Sequence, residues 1–115
     1  MQKIHTLEQP ISETPHKVAV RKIYSFPHAS YVHITLKPGE SLKKHITPVD
    51  ACFYAVEGSG KVEIGEETET LSKDDFVFSP AGIAHRLYNE ESNDVDFKFL
   101  VIKTPTPDNQ PTKIL

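Results

Sequence analysis

From residue 17 onward the apolar and aromatic residues of this chain arrive in runs of four to eight, each closed by Gly, Pro, Asn or Asp. Runs of that length between turn-forming residues make short strands, and they leave no room for the 3.6-residue period of an amphipathic helix. Strict alternation supports this: Val32, Ile34 and Leu36 oppose Tyr31, His33 and Thr35, and Phe97, Phe99 and Val101 oppose Asp96 and Lys98. Nine strands are predicted, over 17–26, 31–36, 41–47, 51–57, 61–64, 68–71, 76–79, 84–88 and 95–103. Lys37-Pro38-Gly39-Glu40 has Pro and Gly where a type II turn needs them. Gly58-Ser59-Gly60 and Gly65-Glu66-Glu67 are expected to be hairpin connections.

Many short antiparallel strands in 115 residues predict one all-β domain, a sandwich or barrel closed around a single interior. The ends differ from the middle. Residues 1–16 contain Pro10 and Pro15, and residues 104–115 contain Pro105, Pro107 and Pro111, none of which can donate to a central ladder. The expected organisation is therefore an N-terminal arm (1–16), a barrel (17–103) and a Pro-rich tail (104–115).

Composition excludes several classes of function. A net charge of −3 with scattered Lys and Arg gives no footprint for a phosphate backbone, so nucleic acid is not an expected partner. No run approaches 18 apolar residues, so no membrane span is expected. One cysteine, Cys52, excludes an internal disulfide framework, and the first ten residues lack a signal peptide's apolar stretch, so a cytoplasmic location is expected. Cys52 and Tyr54 should face away from Phe53. His33 is expected outside the core, and His5, His16 and His28 in solvent.

Two stretches carry chemistry. Gly39, His45 five residues further on, and Gly58 after an aromatic strand fall in the register of the first motif of the cupin superfamily, which this segment resembles. That motif runs Gly, five residues, His-x-His, three or four residues, Glu, six residues, Gly. The segment "DDFVFSPAGIAHRLYN" resembles the second motif through Pro80, Gly82, His85 and Asn89, with Asp74 where an opening Gly is usual. Fifteen residues lie between Gly58 and Asp74, a spacing similar to that of small single-domain cupins.

The resemblance implies a double-stranded β-helix, or jelly-roll barrel, with a divalent metal held by two His and a Glu of the first motif and a His of the second. It also implies a homodimer, for which the Pro-rich ends offer a packing route. Two of the four ligand positions are changed: Thr47 replaces the second His and Ala51 replaces the Glu. A firmly held Fe, Mn, Zn or Ni ion generally needs at least three protein ligands. Asp50 is the candidate third beside His45 and His85. Strand parity turns Asp50 away from His45 and Thr47, and a bulge at Pro48 would reverse its facing.

Phe53 and Leu87 are expected to line the pocket, and the Thr47 hydroxyl to bond a water or a substrate oxygen. Three functions follow. The first is a metal-dependent oxygenase, lyase or isomerase acting on a small organic molecule. The second is a metal-free binding or sensing module. The third is metal-free isomerisation with a histidine as general base.

Overall fold

The computed structural model describes residues 1–107 and 113–115, and strands make up nearly all of its regular structure. A 3-10 turn (Thr6–Glu8) precedes eleven strands: β1 (Ile11–Ser12), β2 (Ala19–Phe26), β3 (Ala29–Leu36), β4 (His45–Ile46), β5 (Asp50–Glu57), β6 (Ser59–Ile64), β7 (Glu67–Ser72), β8 (Phe76–Ser79), β9 (His85–Tyr88), β10 (Phe97–Thr104) and β11 (Lys113–Ile114). Among the described residues no helix is long and apolar enough to cross a membrane.

The strands form two antiparallel sheets, ordered β1-β2-β3-β10-β5-β8 and β11-β4-β9-β6-β7. They face each other as a jelly-roll barrel, so each strand turns alternate side chains into one shared interior. In β5 those are Ala51, Phe53 and Ala55, and in β10 they are Phe97, Phe99 and Val101. Phe53, Phe97 and Phe99 are at most 1% exposed, and each stabilises the fold by about 1.5–3 kcal/mol through burial. Phe99 packs 5.0 Å from Phe97 and edge-on to Phe53 at 6.3 Å.

Turn chemistry fixes the corners. Glu40 N–H donates to Lys37 O at 2.9 Å, and Gly39 sits at φ 87° as the type II turn requires. Gly65 begins a two-residue connection that pairs Ile64 with Glu67. Gly58-Ser59-Gly60 is not a hairpin: β5 and β6 belong to different sheets, and the segment is the corner between them. At Gly58, with φ 72°, a Cβ would lie 2.3 Å from Asp96 O, so the corner admits only glycine. Asp74 takes the opening glycine's place in the second motif by adopting φ 73°, a conformation that Asp tolerates better than most residues. The Tyr54 hydroxyl donates to its Oδ1 at 2.8 Å.

Several expectations are corrected. The segment expected as a strand over 41–47 is strand only at His45–Ile46, joined to β9 by an isolated bridge from Ser41 to Tyr88. Both ends add edge strands, the one place in a sheet open to segments that cannot enter a central ladder: β1 pairs with β2, and β11 pairs with β4, placing Ile114 opposite His45. His33 lies on the outer face as its parity predicts, yet it is buried at 6% exposure, with Nδ1 unpartnered among the described residues. His5 and His28 are exposed, whereas His16 is partly buried.

Candidate functional site

The first motif enters the barrel on β4 and the second on β9, and their pairing makes His45 and His85 direct cross-strand partners. Side chains of such a pair stand on one face of the sheet, here the inner one. His45 is 5% exposed and His85 2% exposed. Their Nε2 atoms are 3.0 Å apart and their ring planes nearly perpendicular at 82°. Phe53 packs edge-on to His85 at 5.1 Å.

The tautomers follow from the partners. His45 Nδ1 lies 2.7 Å from Lys43 O, and a carbonyl only accepts, so Nδ1 carries the proton and Nε2 a lone pair. The 3.0 Å contact must then be donated by His85 Nε2–H. That leaves His85 Nδ1 as the acceptor of the Ser79 hydroxyl at 2.8 Å. The result is a directed chain, from Ser79 through His85 and His45 to Lys43 O, in which both imidazoles are neutral. The Thr47 hydroxyl sits 3.2 Å from His85 Nε2.

Burial favours the same state. It pushes the His85 imidazolium down to about 3, with the charges of His45, Lys103 and His16 acting in the same direction. Burial also lowers His45, and the hydrogen bond to Lys43 O opposes it only in part.

Asp50 does not join the pair. Its Oδ1 accepts the Ala81 N–H at 2.9 Å, tying β5 to the loop before β9. The bend at Pro48 does not reverse the facing, because Ala51, Phe53 and Ala55 point inward and Asp50, Cys52 and Tyr54 outward, as uninterrupted parity requires. Among the described residues no group of three His, Cys, Asp or Glu side chains could hold an ion. The donors at the pair itself are two imidazoles and a threonine hydroxyl, a poor ligand, and the nearby ring of His16 does not complete a set with them. That set does not fit a resident Fe, Mn, Zn or Ni ion.

Beside the pair is a cavity of about 250 Å³. Phe53, Val20, Ile34 and Val101 form its apolar wall, and the two histidines lie at its polar end. Leu87, fully buried in the core, and Thr47, 1% exposed with its hydroxyl against His85, are not among the lining residues expected of them. Two partly buried ionisable residues also line the cavity, His16, which was expected in solvent, and Lys103, which was not placed. His16 comes from the N-terminal arm, its Nδ1 accepting the Lys43 N–H at 2.9 Å and its ring 4.7 Å from that of His45. Burial, then the neighbouring charges of His45, Lys103 and Lys43, lower it to about 4. Lys103 continues the inward row Phe97, Phe99, Val101 and so reaches the cavity from β10. That alternation was readable in the sequence, whereas no periodicity could orient His16 outside a strand.

The remaining motif residues hold the frame. Asn89, 1% exposed, donates from Nδ2 to Leu36 O at 3.0 Å and Val95 O at 2.9 Å. Gly82, at φ 80°, donates its N–H to Thr47 O at 3.0 Å, locking the second motif to the first.

The chain is similar to known proteins over this same frame. It is 40% identical over 58 residues to the tetracenomycin polyketide synthase protein TcmJ of Streptomyces glaucescens, a match covering 50% of this chain and only 39% of that relative. The crystal structure of TT1209 from Thermus thermophilus superposes with a TM-score of 0.76 at 30% identity, covering 90% of this chain and 98% of that one. The polyketide cyclase RemF of Streptomyces resistomycificus superposes with a TM-score of 0.84 at 17% identity, over 100% of this chain and 85% of that one. The family model described as the cupin domain matches residues 32–103, which takes in both motifs and most of the barrel, and the chain therefore belongs to the cupin family.

Proposed function

We propose that this protein is a small-molecule-binding cupin whose His45–His85 pair works without a resident metal. The observation that carries the reading is the directed hydrogen-bond chain ending on Lys43 O. It keeps both imidazoles neutral and gives the apolar cavity one fixed polar end, the pattern of a site that orients a ligand. At about 250 Å³ the cavity lies just below the roughly 300–1,000 Å³ of ordinary ligand pockets, so its occupant is compact. The polar end is formed by the two rings themselves, held in fixed orientation because the His85 N–H is already donated to His45. Burial lowers both imidazoles, His85 to about 3, and so weakens them as bases, which favours binding over proton abstraction.

A second reading has one specific support, the likeness to a polyketide cyclase and to a polyketide synthase protein. In it the same pair exchanges protons with a cyclising substrate. A ligand-induced rise in the imidazole pKa would be required, and pH-dependent NMR of the complex measures it. The metal-dependent reading would require a third protein ligand, a place that neither Asp50 nor Ala51 fills.

The test of the main reading is long-range ¹H–¹⁵N NMR of the histidine rings. It is expected to show His45 protonated at Nδ1 and His85 at Nε2, unchanged when chelator is added. Protonation of His45 at Nε2, or a spectrum that changes on chelation, would refute it.

We also propose that two copies associate through the outer face of the six-stranded sheet. An outer face in water should carry polar side chains. Here the registered rows are Phe78, Cys52, Ile102, Tyr31, Tyr24 and Phe76, Tyr54, Leu100. Phe76 and Phe78 are 59% and 50% exposed, and they lie on β8, the edge strand, which is free to face its own copy across a two-fold axis. Sedimentation is expected to show a dimer that Phe78→Lys converts to monomer; a monomeric wild type would end this proposal.

A further inference from the structure

Among the described residues the titratable groups on the cavity wall are His16, His45, His85, Lys22 and Lys103, and the lining contains no Asp or Glu. The three imidazoles are held neutral, so they add no charge. Lys22 is exposed and stands at the rim. Lys103 is different. It is partly buried, it follows the inward row of β10, and its charge is felt by all three histidines. The described ion pairs are Lys61–Glu90, Arg86–Glu63 and Lys98–Glu57, and Lys103 is in none of them.

An ammonium group taken from water without an anion is costly, and proteins generally pair or hydrogen-bond such charges. Burial accordingly lowers the pKa of Lys103. Hydrophobic side chains would fill this position at lower cost, as Val101 does two residues earlier. A cation kept facing a compact apolar cavity, beside neutral imidazoles and with no acidic residue among the described lining, has the composition of an anion-recognition site.

We propose that the occupant of the cavity is a small organic anion, a carboxylate on a compact apolar body, with Lys103 as its counter-ion. This rests on the metal-independent pocket reading and deepens it by naming the ligand class. The apolar body lies against Phe53, Val20, Ile34 and Val101. Binding fills the cavity and supplies the charge that no described residue provides.

The experiment is NMR titration of the full chain with benzoate and with its neutral isostere benzamide, on wild type, Lys103→Met and Lys103→Arg. Benzoate is expected to shift the signals of His85 and Phe53 and to bind the wild type at least about tenfold more tightly than benzamide. Lys103→Met should abolish that preference and Lys103→Arg retain it. Without ligand, Lys103→Met should melt at a higher temperature than wild type, since it removes a partly buried charge outside the described ion pairs, whereas a purely structural lysine would give a lower one. Equal binding of the two probes, unaffected by Lys103→Met, would overturn the anion assignment and leave the pocket reading standing. No shift of His85 or Phe53 with either probe would overturn both. The wild-type comparison decides the question even if Lys103→Met does not fold.

Discussion

Acid should destabilise this protein through its histidines well before its carboxylates titrate. His85 is 2% exposed and its imidazolium is lowered to about 3, against about 6.5 in an unfolded chain. The unfolded state therefore binds the proton first. The stability contributed by neutral His85 is complete above pH 6.5 and is lost as pH falls from there toward 3. Between about pH 7 and about pH 5 the linkage relation gives a loss of about 2 kcal/mol from this one residue. That is a large fraction of the roughly 5–15 kcal/mol by which a domain is stable. His16 and His45 act with the same sign, so the wild-type loss should exceed that of any single site. The perturbation is His85→Gln, which removes the titration, and the assay is urea unfolding at several pH values. The variant should be less stable at neutral pH, while its loss on acidification is smaller than that of wild type by about 2 kcal/mol. Parallel stability–pH curves for the two proteins would refute the claim that a neutral His85 is enforced by the fold.

Further outcomes follow from individual contacts. Ser79→Ala leaves the buried His85 Nδ1 without its donor and should cost about 1–3 kcal/mol in urea unfolding, with a change in the His85 ¹⁵N pattern. Asp50→Ala removes the bond to Ala81 N–H and should cost about 0.5–1.5 kcal/mol while leaving the histidine NMR signals of the pocket in place. Gly60→Ala would set a Cβ 2.3 Å from the Phe97 ring and 2.7 Å from Tyr88 O, and should cost at least about 1–3 kcal/mol by calorimetry.

The fold was legible because its strands alternate and its turns carry Pro and Gly where φ must be fixed or positive. Parity alone placed Ala51 and Phe53 inside and Cys52 and Tyr54 outside. It was also the better guide at Asp50, where the possibility of a bulge competed with it. The pairing of His45 with His85 was legible only through two motifs in register, since nothing local says that β4 lies beside β9. Periodicity could not see the two-residue strands β1 and β11, which exist because tertiary pairing gives their backbone groups partners. His16 belongs to the same class, reaching the site through the path of an arm. Gly58-Ser59-Gly60 misled because a sheet-to-sheet corner needs the same glycines as a hairpin. Leu87 misled because parity gives the face of a strand and not the depth along the barrel.

The central claim is that the two histidines form a neutral hydrogen-bonded pair in a ligand pocket and not two-thirds of a metal site. Elemental analysis of untagged protein, expressed with Fe, Mn, Zn and Ni supplied and then dialysed, tests it most directly. Metal far below one equivalent per chain is predicted, with no difference between wild type and His45→Ala or His85→Ala. Near one equivalent in wild type, lost in both variants, would contradict the account.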